Sequence, residues 1–161
     1  IKSSAALDVY KRQVHFIEAD NSSYLCSNRK DSTYIYMKNI AETYWKRKKM
    51  PIPHLLLSDY EGRNVWSHKG IVHWRGMNIC MVTDGYWRNK SATNLLDIDY
   101  MYLCKGYKGE IAPLQKLFHI KRIVLDASLG DYKSKAYKEE CKTLGLDYID
   151  ISEKGSFRIL L

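Results

Sequence analysis

The sequence predicts an α/β fold in which mixed sheets are flanked by helices. Three short apolar runs between residues 64 and 83 are separated by Lys69-Gly70 and Arg75-Gly76, and this spacing predicts a β-meander. From residue 99 onward, strand-like runs alternate with segments of helical periodicity. A meander followed by alternating strands and helices favours helices packed on sheets.

The N-terminal part is predicted to form a hairpin followed by a helix. Residues 14–17 and 23–27 are typical of strands around the turn Asp20-Asn21-Ser22. Residues 32–50 predict a helix, which Pro51 ends. The apolar positions at helical spacing are Met37, Ile40, Ala41, Tyr44 and Trp45.

The middle of the chain is predicted to be a run of strands. They are expected at residues 54–57, 64–68, 71–74 and 78–83. Residues 85–94 are predicted to be irregular, with Trp87 packed on the domain.

The last third is predicted to alternate between strands and helices. The expected order is strand 99–103, loop 104–109, helix 110–118, strand 121–126, helix 132–144, strand 148–151 and strand 157–161. In the second helix, the predicted apolar face contains Ala136, Tyr137, Cys141 and Leu144, and Gly145 is the expected C-cap.

The length of 161 residues suits one domain, and we predict that residues 14–161 form it. Residues 5–13 look like a translated sequencing adapter, so residues 1–13 are predicted to be an adapter-derived or disordered extension and are left out of the predicted fold. Because the chain does not begin with Met, we expect it to be a fragment of a longer protein.

Composition narrows the classes of function. The net charge of +8 favours polyanionic partners such as nucleic acid or anionic lipid. Cys26, Cys80, Cys104 and Cys141 include no C-x-x-C pair, which argues against a zinc ribbon or a thioredoxin-like site and favours buried thiols. No apolar run approaches the roughly 20 residues that span a bilayer.

The loop after the strand at 99–103 carries a family resemblance. It reads Gly106-Tyr107-Lys108-Gly109, and with the rest of residues 98–161 it resembles the C-terminal end of the metallo-β-lactamase-like domain of ComEC-family competence proteins. Active members have a His-His-Gly motif here that contributes to a metal site. Lysine has no lone pair with which to replace imidazole. The resemblance, which is looser over residues 14–97, implies a truncated, degenerate αββα sandwich.

Candidate catalytic residues are sparse. Asp84 follows a strand, as a metal-bridging aspartate does in this family, although Asp84-Gly85 is also a typical turn. His68 and His73 on neighbouring strands could share a metal or could be ordinary sheet residues. No His-x-His sequence is present. We therefore predict no metal, no cofactor and no catalytic residue, with Asp84 as the single candidate.

Two segments combine the features that bind DNA. Trp87-Arg88-Asn89-Lys90 interleaves aromatic and basic residues, as single-stranded DNA sites do. The segment 106–109 either holds a phosphate at a helix start or forms a tight turn. The predicted DNA-phosphate ligands are Arg88, Lys90, Lys105 and Lys108.

The resemblance implies a function in DNA uptake. We predict a non-catalytic C-terminal domain of a ComEC-type membrane protein, assisting DNA internalisation by weak binding of backbone phosphates or by packing on the channel. Its partners would be the transmembrane channel portion of the same polypeptide and single-stranded DNA. We expect it on the periplasmic or extracellular face of a polytopic inner-membrane protein, and soluble as this fragment. The alternatives are an active metal-dependent nuclease with a rearranged site, and a purely structural interaction domain.

Overall fold

The computed structural model describes residues 6–10, 13–20, 22–27, 43, 45–47, 49–56 and 59–161. The strands in chain order are β1 (Ala6–Tyr10), β2 (Gln13–Ile17), β3 (Ser23–Ser27), β4 (His54–Leu55), β5 (Tyr60–Glu61), β6 (Val65–His68), β7 (Ile71–Trp74), β8 (Met77–Val82), β9 (Leu96–Ile98), β10 (Tyr100–Leu103), β11 (Phe118–Ile120), β12 (Arg122–Leu125), β13 (Asp147–Asp150) and β14 (Ser156–Leu160). The helices whose bounds lie within the described residues are the 3-10 helix Ala112–Lys116, α1 (Asp131–Leu144) and α2 (Ile151–Lys154).

The chain divides into two compact units. One contains Ile1–Leu57 with Ser156–Leu161, and the other contains Ser58–Gly155. The strands of the two units, together with the helices, make up the mixed α/β fold that the sequence predicts. That the two units belong to one αββα domain of the metallo-β-lactamase type stays a prediction.

The first unit contains a five-stranded sheet in the order β14-β1-β2-β3-β4. The predicted hairpin is confirmed, since β2 and β3 pair antiparallel with Val14 opposite Cys26. β1 pairs antiparallel with both β2 and β14, and its Leu7 and Val9 are buried. Leaving this segment out of the fold was therefore wrong for Ala6–Tyr10. The pairing does not test where the segment comes from, which stays a prediction.

The second unit contains a seven-stranded sheet in the order β13-β12-β10-β8-β7-β6-β5. The predicted meander is confirmed, because β5 to β8 pair antiparallel in chain order. Its turns have φ of 50° and 82° at Lys69 and Gly70, and of 49° and 78° at Arg75 and Gly76. Two consecutive positive φ angles are the geometry of the type I′ hairpin turn. The strands β8, β10, β12 and β13 are parallel to one another.

The main core covers one face of the parallel half of this sheet. α1 contributes buried Tyr137 and Cys141 to it, and Gly145 ends the helix at a φ of 67°, both as predicted. On the same face, the antiparallel half carries exposed residues, since His68 lies opposite Ile71 and Trp66 lies opposite His73. One face of the sheet thus changes from buried under a helix to exposed.

Two predicted elements are corrected by the structure. The helix expected over 110–118 is only a short 3-10 helix, and Phe118–Ile120 form β11, which pairs with β9 in a two-stranded sheet. The alternation of buried Phe118 and Ile120 with exposed His119 is that of a strand. The strand expected over 148–151 ends at Asp150, whose side chain caps α2 by accepting the Ser152 amide.

The helix predicted over residues 32–50 lies mostly outside the described residues. Of its residues, Thr43 and Trp45–Arg47 are helical, and Trp45 packs against Leu25. The four cysteines are buried free thiols, as predicted.

Candidate functional site

The carboxyl ends of four parallel strands meet at one edge of the seven-stranded sheet, which we call the carboxyl edge. The strands β8, β10, β12 and β13 are adjacent and parallel, so the loops that follow them start from this edge. In open α/β sheets, ligands bind outside the carboxyl ends of the strands. From this topology, a ligand-binding site is expected at the carboxyl edge.

The loops after β8 and β10 are in direct contact. The Cys104 amide donates to the Val82 carbonyl over 3.1 Å. At Gly106, a Cβ would lie 1.8 Å from the carbonyl oxygen of Thr83, so only glycine fits. This close approach fixes the two loops side by side.

The four predicted DNA-phosphate ligands lie in these two loops. Arg88 and Lys90 follow β8, Lys105 and Lys108 follow β10, and all four side chains are exposed. Burial raises the pKa of Tyr107, while the charge of Arg88 acts to lower that pKa, so Arg88 lies near the second loop. The fold therefore brings the four residues that were predicted from the sequence to one edge.

Tyr86 is an exposed aromatic residue at this edge that was not identified from the sequence. Lys90 Nζ lies 3.3 Å from the centre of the Tyr86 ring, and the Lys69 ammonium lies 5.7 Å from it. Trp87, which the sequence suggested for stacking, instead packs edge-on against Phe118 at a centroid distance of 5.1 Å. Trp87 therefore anchors the loop in the core, as its predicted packing requires, and Tyr86 is presented to solvent.

The pairing of β7 with β8 also brings Lys69 to the carboxyl edge. It precedes Gly70, whose carbonyl accepts the Met81 amide over 2.8 Å near the end of β8. The sequence contained a signal for Tyr86, which is adjacent to the basic segment 87–90, but none for Lys69, because its place depends on the pairing of β7 with β8.

The metal-site candidates are separated and individually partnered. Asp84 Oδ1 accepts the Tyr86 amide over 2.9 Å, which is the turn role weighed for it. His68 Nδ1 lies 2.7 Å from Asp59 Oδ2, and His73 Nδ1 lies 2.7 Å from Asn78 Oδ1. Within the described part of the chain, no group of three or more His, Cys, Asp or Glu residues could hold a metal ion.

The segment 106–109 is a structural turn. At the start of the 3-10 helix, the amides of Ile111 and Ala112 donate to Glu140 Oε1 over 2.7 and 2.8 Å. The carbonyl of Gly109 accepts the Tyr137 hydroxyl over 2.9 Å. A phosphate held by those two amides is therefore excluded, since a carboxylate from α1 already binds them. The Lys108 side chain stays exposed beside this turn.

Buried carboxylates stiffen the rest of the carboxyl edge. Asp126 accepts the Tyr102 hydroxyl and the Ser128 amide, and the Ser128 hydroxyl in turn accepts the Lys105 amide over 3.2 Å. Asp150 binds Lys138 Nζ over 2.7 Å. Loops held in this way place the exposed cations on a rigid support.

Comparison with known proteins identifies the class. The protein-family model of the ComEC C-terminal domain matches residues 7–161, and the chain belongs to that family. Membership supports a role in competence and DNA uptake, and ComEC proteins are membrane proteins. No match was found among curated proteins or among solved structures. None of the helices in the described residues is long and apolar enough to cross a bilayer.

Proposed function

We propose that this ComEC C-terminal domain binds the phosphate backbone of single-stranded DNA at its carboxyl edge without cleaving it. It would do so beside the transmembrane channel portion of the same polypeptide, on the periplasmic or extracellular face. The observation that carries the proposal is the contact between the loops after β8 and β10, which gathers Arg88, Lys90, Lys105 and Lys108 at one edge.

Electrostatics and stacking both support a nucleic-acid ligand. Lysine and arginine neutralise phosphates and release counterions, which makes binding independent of sequence and sensitive to salt. An exposed aromatic ring among such cations offers a stacking surface for an unpaired base. Tyr86 is 43% exposed and lies within reach of Lys69 and Lys90.

The residue types at the family's motif support the part of the proposal that the domain does not cleave DNA. Gly106-Tyr107-Lys108-Gly109 supplies no imidazole, and the Tyr107 hydroxyl donates to the Glu110 carbonyl over 2.6 Å inside the fold. Asp84 is engaged in its own turn. A two-metal phosphodiesterase needs several such ligands that converge on one cleft.

A salt titration tests the proposal. Binding of a single-stranded oligonucleotide is measured at several salt concentrations for the native chain and for Arg88→Gln/Lys108→Gln. For single strands the slope of log K against log salt is about −0.7 per neutralised phosphate, so the double variant should flatten the slope by about 1.4. Incubation with Mg²⁺ or Mn²⁺ should leave the strand intact.

The matched control is Lys121→Gln/Lys142→Gln, which removes the same charge elsewhere. Lys121 precedes β12, at the end of that strand remote from the carboxyl edge, and Lys142 lies in the last turn of α1. This variant should keep the native slope. An equal loss in both variants would reject a localised site, and no binding at all would favour the purely structural domain. Strand cleavage would reject the non-catalytic role.

A further inference from the structure

A groove lies at the other end of β8, on the exposed face of the meander. Its volume is about 520 Å³, and its lining includes Arg63, Trp66, His73 and Arg75. Volumes of this size are in the range of small-molecule sites. The groove belongs wholly to the second unit.

Trp66 is the central feature of this groove. Its side chain is 42% exposed, although tryptophan is highly buried on average. It lies opposite Glu61 on one side and His73 on the other, in the part of the sheet that no helix of the second unit covers. An indole held on a sheet and open to solvent on one side presents a flat surface for a planar partner.

Two guanidinium groups flank the indole. Arg63 lies in the turn between β5 and β6, and Arg75 lies in the turn between β7 and β8. Because Val65 pairs with Trp74, both turns lie at the same end of the meander. Both arginine side chains are exposed. Against them the lining contains one acidic residue, Glu61.

We propose that this groove binds a base of single-stranded DNA, stacked on Trp66, with the adjoining phosphates on Arg63 and Arg75. An aromatic surface with flanking cations is the combination that holds unpaired bases and their backbone. Duplex DNA is not a ligand of this kind, since its bases are already stacked on one another. The groove would be a second contact for the strand that the proposed function places at the carboxyl edge.

The two contacts use different chemistry at different places. β8 has six residues, Met77–Val82, so its two ends lie about 17 Å apart at the usual rise of a strand. The carboxyl edge would bind mainly phosphates, with Tyr86 as its one proposed stacking ring, whereas the groove would bind mainly a base, on Trp66. The inference rests on the proposed function only in that both name the same ligand.

The test compares two probes of equal length and charge, an oligothymidylate and an abasic sugar-phosphate strand. The native chain should bind the thymidylate about 5- to 160-fold more tightly, which is the range that corresponds to one stacked base contact. Trp66→Leu should lose most of this preference, and any remainder would come from stacking on Tyr86. Trp66→Phe should keep most of the preference, since phenylalanine also stacks.

Tryptophan emission gives an independent readout. Trp45 and Trp74 are 5% and 0% exposed, and Trp87 packs against the core, so quenching by a stacked base should report Trp66. Oligothymidylate should quench the native chain and not Trp66→Leu. A circular-dichroism spectrum equal to the native one would show that the variant is folded.

The possible failures are distinguishable. If the native chain binds both probes equally, the groove proposal is wrong, while phosphate binding stands. If Trp66→Leu removes the preference for thymidylate and Arg88→Gln/Lys108→Gln leaves the salt slope unchanged, the groove stands and the carboxyl-edge site is wrong. If neither probe binds, both are wrong.

Discussion

Replacing Gly106 by alanine should separate the two loops that form the carboxyl edge. The added Cβ would lie 1.8 Å from the Thr83 carbonyl oxygen, and such contacts do not occur below 3.0 Å. Because the partner is backbone, relief requires that one loop move by at least about 1 Å, in a core whose packing does not yield freely. The hydrogen bond from the Cys104 amide to the Val82 carbonyl, now 3.1 Å, would be strained.

The expected cost follows from these two effects. Overpacking of this kind costs about 1–3 kcal/mol, and a weakened hydrogen bond adds up to about 1 kcal/mol. Alanine also reduces the entropy of the unfolded chain, which returns about 0.4–1 kcal/mol. The free energy of unfolding of Gly106→Ala should therefore fall by about 1–3 kcal/mol.

Urea unfolding followed by circular dichroism measures this change. Gly130→Ser is the matched control, because a Cβ there meets nothing within 4 Å and the backbone φ of −70° suits any residue. Serine is also a good N-cap for α1, so this control should unfold within about 0.5 kcal/mol of the native chain. A Gly106→Ala variant with the native unfolding midpoint would show that the two loops do not touch as described.

Two further outcomes are expected. Burial works to raise the pKa of Asp150, but hydrogen bonds from Lys138 and Ser152 outweigh it and hold that pKa below the usual 3.8. The stabilisation from Asp150 is therefore present above pH 4 and is lost as the pH falls through the lowered pKa of the folded state. In Asp150→Asn, the free energy of unfolding should depend less on pH between about pH 5 and 2. A pH dependence equal to that of the native chain would contradict this. Burial raises the pKa of Cys26 and of Cys80 to about 12, and that of Cys141 to about 11, so a disulfide reagent at pH 8 should label these thiols only after unfolding. Labelling within minutes of native protein would show that they are accessible.

The sequence predicted elements whose signals are local and long enough to repeat. α1 has four apolar positions at helical spacing and a C-cap glycine, and the meander has two turns that require positive φ. β9 and β11 have three residues each, too few to show a period of two. β1 was left out of the predicted fold because residues 5–13 look like a translated sequencing adapter, although Leu7 and Val9, buried at alternate positions, are typical of a strand.

The site was predicted in part for the same reason. Arg88 was identified because basic and aromatic residues interleave at positions 87–90, and Lys108 because it lies in the glycine-framed segment 106–109; both are local properties. Their proximity depends on β8 and β10 being neighbours in the sheet, and those strands are separated by β9 along the chain. Tyr86 and Trp66 differ from the buried aromatic residues in the exposed fraction of their side chains, and a sequence pattern does not show how much of a side chain is covered.

The pairing of β1 with β14 has a consequence for biogenesis. Ala6 lies beside Leu160, so the sheet joins two segments that are far apart in the sequence. During translation β1 would remain an edge strand without this partner until Ser156–Leu160 have left the ribosome, and unpaired edges are where nascent chains aggregate. The slow closure of so long a loop makes this the step at which a chaperone would matter most.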